Sequence, residues 1–227
     1  GNGKSSMIHM IGDKLPKHRK IYFDATTKDL GDIMIPSMQS IDEDGCVRMI
    51  PNEELGIHLD GPIILMLDEI GKANQAVKNA MLRLIQERQI GSYSLHPDSV
   101  VFATTNKGSE GVGDILPAHV RNRMIVVQIK KTDHMDWIEW GINNGIDHSL
   151  LGWVKDNPHL MASFEDIKDP SENPYIFDPR AQRAAFVTPR SLHSASDILK
   201  SREGIDDITL TAALMGTIGD RGAMDLM

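Results

Sequence analysis

Pro62-Ile63-Ile64-Leu65-Met66-Leu67-Asp68-Glu69 sets five consecutive apolar residues between a Gly61-Pro62 turn and two acids. So short a run does not make a free-standing helix. Its boundaries suit a strand buried on both faces. A strand hidden that completely belongs in the middle of a parallel sheet, with helices on either side. Asp68 and Glu69 then emerge at its carboxyl end, where open α/β sheets keep their ligands. Two adjacent acids at such a place call for a cation or a polarised water.

The complementary chemistry stands at the other end of the sequence, in Gly1-Asn2-Gly3-Lys4-Ser5-Ser6. Gly3-Lys4-Ser5 matches the last part of a Walker A phosphate loop, Gly-x4-Gly-Lys-Ser/Thr. The first glycine of such a loop, and the strand before it, would lie upstream of Gly1. By itself Gly-Lys-Ser is a common accident. Here Met7, Ile8, Met10 and Ile11 continue as a short helix, so the N–H groups of Gly3 to Ser6 would sit at its positive end. In that arrangement Lys4 reaches the β- and γ-phosphates and the Ser5 hydroxyl ligates Mg²⁺.

Composition narrows the class. The 227 residues suffice for one large domain, or for a domain with a smaller companion. A net charge of −8 argues against indiscriminate binding to nucleic acid or to an anionic membrane, although a local basic patch would escape this argument. The single cysteine, Cys46, forms no internal disulfide and points to a reducing compartment. There is no secretory signal and no apolar run of membrane-spanning length, so the expectation is a cytoplasmic protein.

Ile21-Tyr22-Phe23 reads as a second strand. The span from Asp24 to Gly61 fits either an interrupted helix carrying a hairpin-like insertion or an ordinary surface loop. After the acidic strand, Ala73, Ala76, Val77, Ala80, Met81, Leu84 and Ile85 share one helical face. Ile90 to His96 suits a small hairpin, and Val100 to Thr104 a third buried strand. Asn106, just beyond it, is a strand-end cap or, beside two acids, a sensor of the water next to a γ-phosphate; we expect the latter. Arg121 and Arg123 precede an expected strand from Met124 to Ile129. They fit a solvated helix end or donors aimed at a phosphate. From Asp133 onward the periodicity is helical, and Trp137, Trp140 and Trp153 read as its core. Thr188 and Pro189 open a helix through Leu199, with Arg190 set against the usual dipole preference.

The order of these parts resembles the AAA+ ATPases: Gly3-Lys4-Ser5, a strand ending Asp68-Glu69, a strand ending Thr104-Thr105-Asn106, then Leu116-Pro117 through Arg121-Asn122-Arg123, then Thr188-Pro189-Arg190. The spacing is similar to the MoxR-like and dynein-related branch, which carries an insertion before Walker B. The resemblance covers nearly the whole chain. It implies an α/β parallel-sheet P-loop core over residues 1–131 and a small helical lid over 132–227. It makes Gly1 to Ser6 the nucleotide loop, Ser5 and Asp68 the Mg²⁺ residues, and Glu69 the base. Asn106 becomes sensor 1, Arg123 the arginine finger with Arg121 as competitor, and Arg190 sensor 2. ATP hydrolysis at the interfaces of a homo-oligomeric ring, generally a hexamer, would then remodel protein partners. A nucleic-acid motor or loader and a nucleotide-gated scaffold are the alternatives. The sequence departs from the family at the missing start of Walker A, at Met124 in place of the usual Phe, and in stopping soon after Gly219.

Overall fold

The computed structural model describes residues 3–106, 122, 124–164, 167–181 and 183–227, with only the backbone for Ser5 and residues 42–44. The chain divides into two compact units, one over residues 4–127 and one over residues 128–227.

The first unit is built on a parallel sheet of β1 (Arg19–Asp24), β4 (Ile63–Asp68) and β7 (Val100–Ala103), in the order β1-β4-β7. All six residues of β4 are buried, as its unbroken apolar run predicts. Alternation along the strands divides the two faces cleanly. Ile64 and Met66 pack with Ile8 of α1 (Met7–Lys14), alongside Val100 and Phe102. Ile63, Leu65 and Leu67 face the other way, with Phe23 and with Val77, Met81 and Leu84 of α3 (Gln75–Glu87). The side chain of Asn74 caps α3 by accepting from the Val77 N–H at 2.9 Å. By register, Tyr22 of β1 lies beside Met66, so both point to the α1 face together with Asp68.

The span before β4 does contain a hairpin. β2 (Met34–Ser37) and β3 (Arg48–Pro51) pair antiparallel around the short α2 (Gln39–Asp44), and three single 3-10 turns flank them. A second, smaller hairpin joins β5 (Gln89–Ile90) to β6 (Tyr93–Ser94). Its turn residue Gly91 has φ +58°, and a Cβ there would lie 3.0 Å from the Met49 carbonyl oxygen. The small hairpin therefore rests against β3 with glycine at the contact.

The strand expected from Met124 to Ile129 is not formed. Residues 125–130 have no regular structure, and Ile125 and Val127 are 95% and 75% exposed. An apolar, β-branched run becomes a strand only by hydrogen-bonding to a neighbour, and among the described residues this one has none.

The second unit is helical. Its helices are α4 (His134–Asn143), α5 (His148–Asp156), α6 (Pro189–Lys200), α7 (Asp207–Ile218) and α8 (Asp220–Leu226). Trp137, Leu150, Trp153, Val154, Leu192, Leu199 and Leu214 make its core. Trp140 differs from expectation: 43% exposed, it stands on the outer side of α4 near the His193 ring. Thr188 caps α6 reciprocally, accepting from the Ser191 N–H at 3.0 Å while the Ser191 hydroxyl accepts from the Thr188 N–H at 2.8 Å. Among the described residues, no helix is long and apolar enough to cross a membrane.

Candidate functional site

The carboxyl end of β4 carries the candidate site. Asp68 is the last residue of the strand and is buried. Its Oδ1 accepts from the Thr104 hydroxyl and, at 3.2 Å, from the Glu69 N–H; its Oδ2 accepts from the Tyr22 hydroxyl at 2.9 Å. Thr104 is itself fixed by the backbone. Its N–H donates to the Leu67 carbonyl at 2.9 Å, and its carbonyl accepts from the Ile70 N–H at 3.0 Å. Partial desolvation of the hydroxyl, and then its hydrogen bond to Asp68, push the Tyr22 phenol up to about 12 although half of the residue is in solvent. Tyr22 is thus a donor to Asp68 throughout the neutral range.

Glu69 turns out of the strand with φ 51° and ψ 38°, in the left-handed region. A non-glycine residue there costs about 1 to 3 kcal/mol, which the surroundings must supply. The ties are visible. The Glu69 N–H also reaches the Thr104 hydroxyl at 3.2 Å, Oε1 accepts from Asn106 Nδ2 at 3.1 Å, and Oε2 pairs with the Lys72 ammonium.

Asn106 completes a bridge. Its Oδ1 accepts from Lys4 Nζ, which also donates to the Thr105 carbonyl at 3.2 Å. With an ammonium on one side and a carboxylate on the other, only one orientation of the amide satisfies both. The side chain joins Lys4 to Glu69, and this is a different task from capping β7. Lys4 begins a 3-10 turn, Lys4–Ser6, that runs directly into α1, and Gly3 before it has φ +69°. The leading N–H groups of such a helical stretch have no carbonyl partner within it.

Lys4, Asp68, Glu69 and Asn106 therefore come together, although they are scattered over the sequence. Gly1, Asn2, Arg121 and Arg123 lie outside the described residues, as does the Ser5 side chain. Ser6 precedes α1 and makes no side-chain cap to it. Arg190 is exposed in the first turn of α6, in the helical unit. Sequence reasoning missed the roles of Tyr22, Thr104 and Lys72 around the two acids. Parallel alternation gives a signal for Tyr22, because it occupies the same face as Asp68 once β1 is set beside β4. Lys72 stands three residues after Glu69, a spacing at which side chains meet on a helical turn.

Among the described residues the metal-type donors at this strand end are hard oxygens, those of the Asp68 carboxylate beside Glu69. Among the described residues there is no group of three or more His, Cys, Asp or Glu able to cage a metal. Such a set fits Mg²⁺, which is held by one or two protein oxygens together with phosphate and water.

No protein-family model matches the sequence, and no curated protein matches it. Among solved structures, the chain is similar over its full length to RuvB of Thermotoga maritima. Two mutant forms of that protein give TM-scores of 0.48 at 14% identity and 0.49 at 16% identity. NtrX of Brucella abortus, solved in complex with ADP, gives 0.42 at 15% identity. The chain covers 58% of those RuvB chains and 59% of that NtrX chain, less than two thirds in each case. The chemistry of the site rests on its own residues.

Proposed function

We propose that the chain is an ATPase of AAA+ type that binds ATP with Mg²⁺ at the Lys4, Asp68, Glu69 and Asn106 site. The observation that carries this reading is the continuous link from Lys4 through Asn106 to Glu69, beside the buried Asp68. Lys4 is the cation for the β- and γ-phosphates. Drawn to them, it gives up Asn106 Oδ1, which then holds the attacking water. Glu69 takes up the proton of that water, and Asn106 keeps the two in line. Asp68 and Ser5 hold the metal. Mg²⁺ held there would supply Lewis-acid neutralisation of the charge that develops on the phosphates. Arg123, entering from a neighbouring subunit of a ring, stabilises the same charge; Arg121 is its competitor, and Arg190 couples the helical unit to the nucleotide. A net charge of −8 favours protein rather than nucleic acid as the remodelled partner, in the manner of MoxR-like motors.

The test is Glu69→Gln, assayed by binding of a fluorescent ATP analogue and by phosphate release. Binding should stay within about threefold of the parent while turnover falls at least ~100-fold, the usual scale for a lost general base. Turnover within about tenfold of the parent would remove Glu69 from that role. A parent that binds ATP tightly and never releases phosphate would favour the nucleotide-gated scaffold instead.

A further inference from the structure

We infer that Tyr22 is a positioning residue for Asp68, setting the carboxylate through which the chain recognises the Mg²⁺ form of its nucleotide. This rests on the ATP and Mg²⁺ reading of the site. Asp68 Oδ1 is tied inward, to the Glu69 N–H just beyond β4 and to the hydroxyl of Thr104 just beyond β7, a residue whose backbone is itself bonded to Leu67 and Ile70. Oδ2 has a donor from a different element, the Tyr22 hydroxyl on β1, at 2.9 Å. Holding both oxygens stops the carboxylate from rotating about its last bond. The metal then meets a preset ligand and need not order one.

Packing does not account for Tyr22. Its side chain belongs to none of the hydrophobic clusters among the described residues, and the residue is 51% exposed. Its neighbour Phe23, by contrast, is buried in the core. A tyrosine half in solvent, with its hydroxyl on a buried carboxylate, is placed for its oxygen. Outer partners of metal ligands commonly alter metal affinity by ~10- to 100-fold, which is far above what an exposed surface tyrosine contributes by packing.

The experiment uses Tyr22→Phe, which removes one oxygen and keeps the ring. ATP binding to the full chain is followed by calorimetry, first in EDTA and then across a Mg²⁺ titration, with thermal unfolding as a check on folding. Affinity for metal-free ATP should stay within about twofold of the parent, and the Mg²⁺ half-point should rise about tenfold. In a double-variant cycle, adding Tyr22→Phe to Asp68→Asn should produce no further rise, since the phenol acts only through the carboxylate. An unchanged Mg²⁺ half-point in Tyr22→Phe overturns the inference while leaving the nucleotide site standing. The same holds if the two substitutions add in full. A parent whose ATP affinity ignores Mg²⁺ overturns the metal reading itself.

Discussion

Glu69 shows how much one residue is asked to do at the end of β4. Its backbone is left-handed, its N–H binds the Asp68 carboxylate, and its own carboxylate is divided between Asn106 and Lys72. The backbone and side-chain contributions separate by substitution. Glu69→Ala and Glu69→Gly both remove the carboxylate, but only glycine accepts φ 51° without penalty. Glu69→Gly should therefore be more stable than Glu69→Ala by about 1 kcal/mol in urea unfolding, the reverse of the usual order for these residues. Equal stabilities would mean that the left-handed turn relaxes once the side-chain ties are gone.

Among the elements, those with a strong local signal were the ones legible in advance. β4 was marked by its apolar run, α3 by its spacing and α6 by Thr188 and Pro189, because burial on two faces, helical period and capping all write themselves into neighbouring residues. The run at 125–127 shows the limit of that logic: apolar residues announce a wish for burial, but a strand also needs a partner. Tyr22 shows another limit. It meets Asp68 across 46 residues, through a register that only the assembled sheet defines. Helix α5 offers a test at this scale. Burial works to raise the pKa of its cap Asp147, but the Ser149 hydroxyl and the N–H groups of Ser149 and Leu150 outweigh it and hold the carboxyl below its usual range. A depressed folded pKa gives stability that is present above the unfolded value of about 3.9 and is lost as pH falls through the folded one. Asp147→Ala should thus cost about 1 kcal/mol at pH 7 in denaturant unfolding. The gap between parent and variant should narrow steadily below about pH 4. A gap independent of pH would mean that the ionised carboxylate is not what carries the cap, since the Asp147 N–H bond to the Ser196 hydroxyl is kept in both proteins and cancels.

For the whole molecule, the proposal of a ring depends on arginine acting between subunits. Arg123→Ala should bind ATP nearly as the parent does and hydrolyse it ~10³-fold or more slowly. Lys4→Ala should fail for lack of its phosphate ligand. Mixed together, the two should recover part of the activity, because some interfaces pair an intact nucleotide loop with an intact Arg123. An arginine acting within its own subunit gives no such recovery. Arg121→Ala should show the milder loss. Activity near zero at every ratio, in mixtures shown to co-assemble, would end the assignment between subunits. The sheet itself sets the order in which the molecule opens. β4 is buried throughout and hydrogen-bonded on both sides, to β1 and to β7. In deuterated water its amides should be among the last to exchange, opening only when the whole unit unfolds. Asp68 is mounted on that slowest strand, so the carboxylate should hold its position through any local fluctuation that lets solvent into the loops around it.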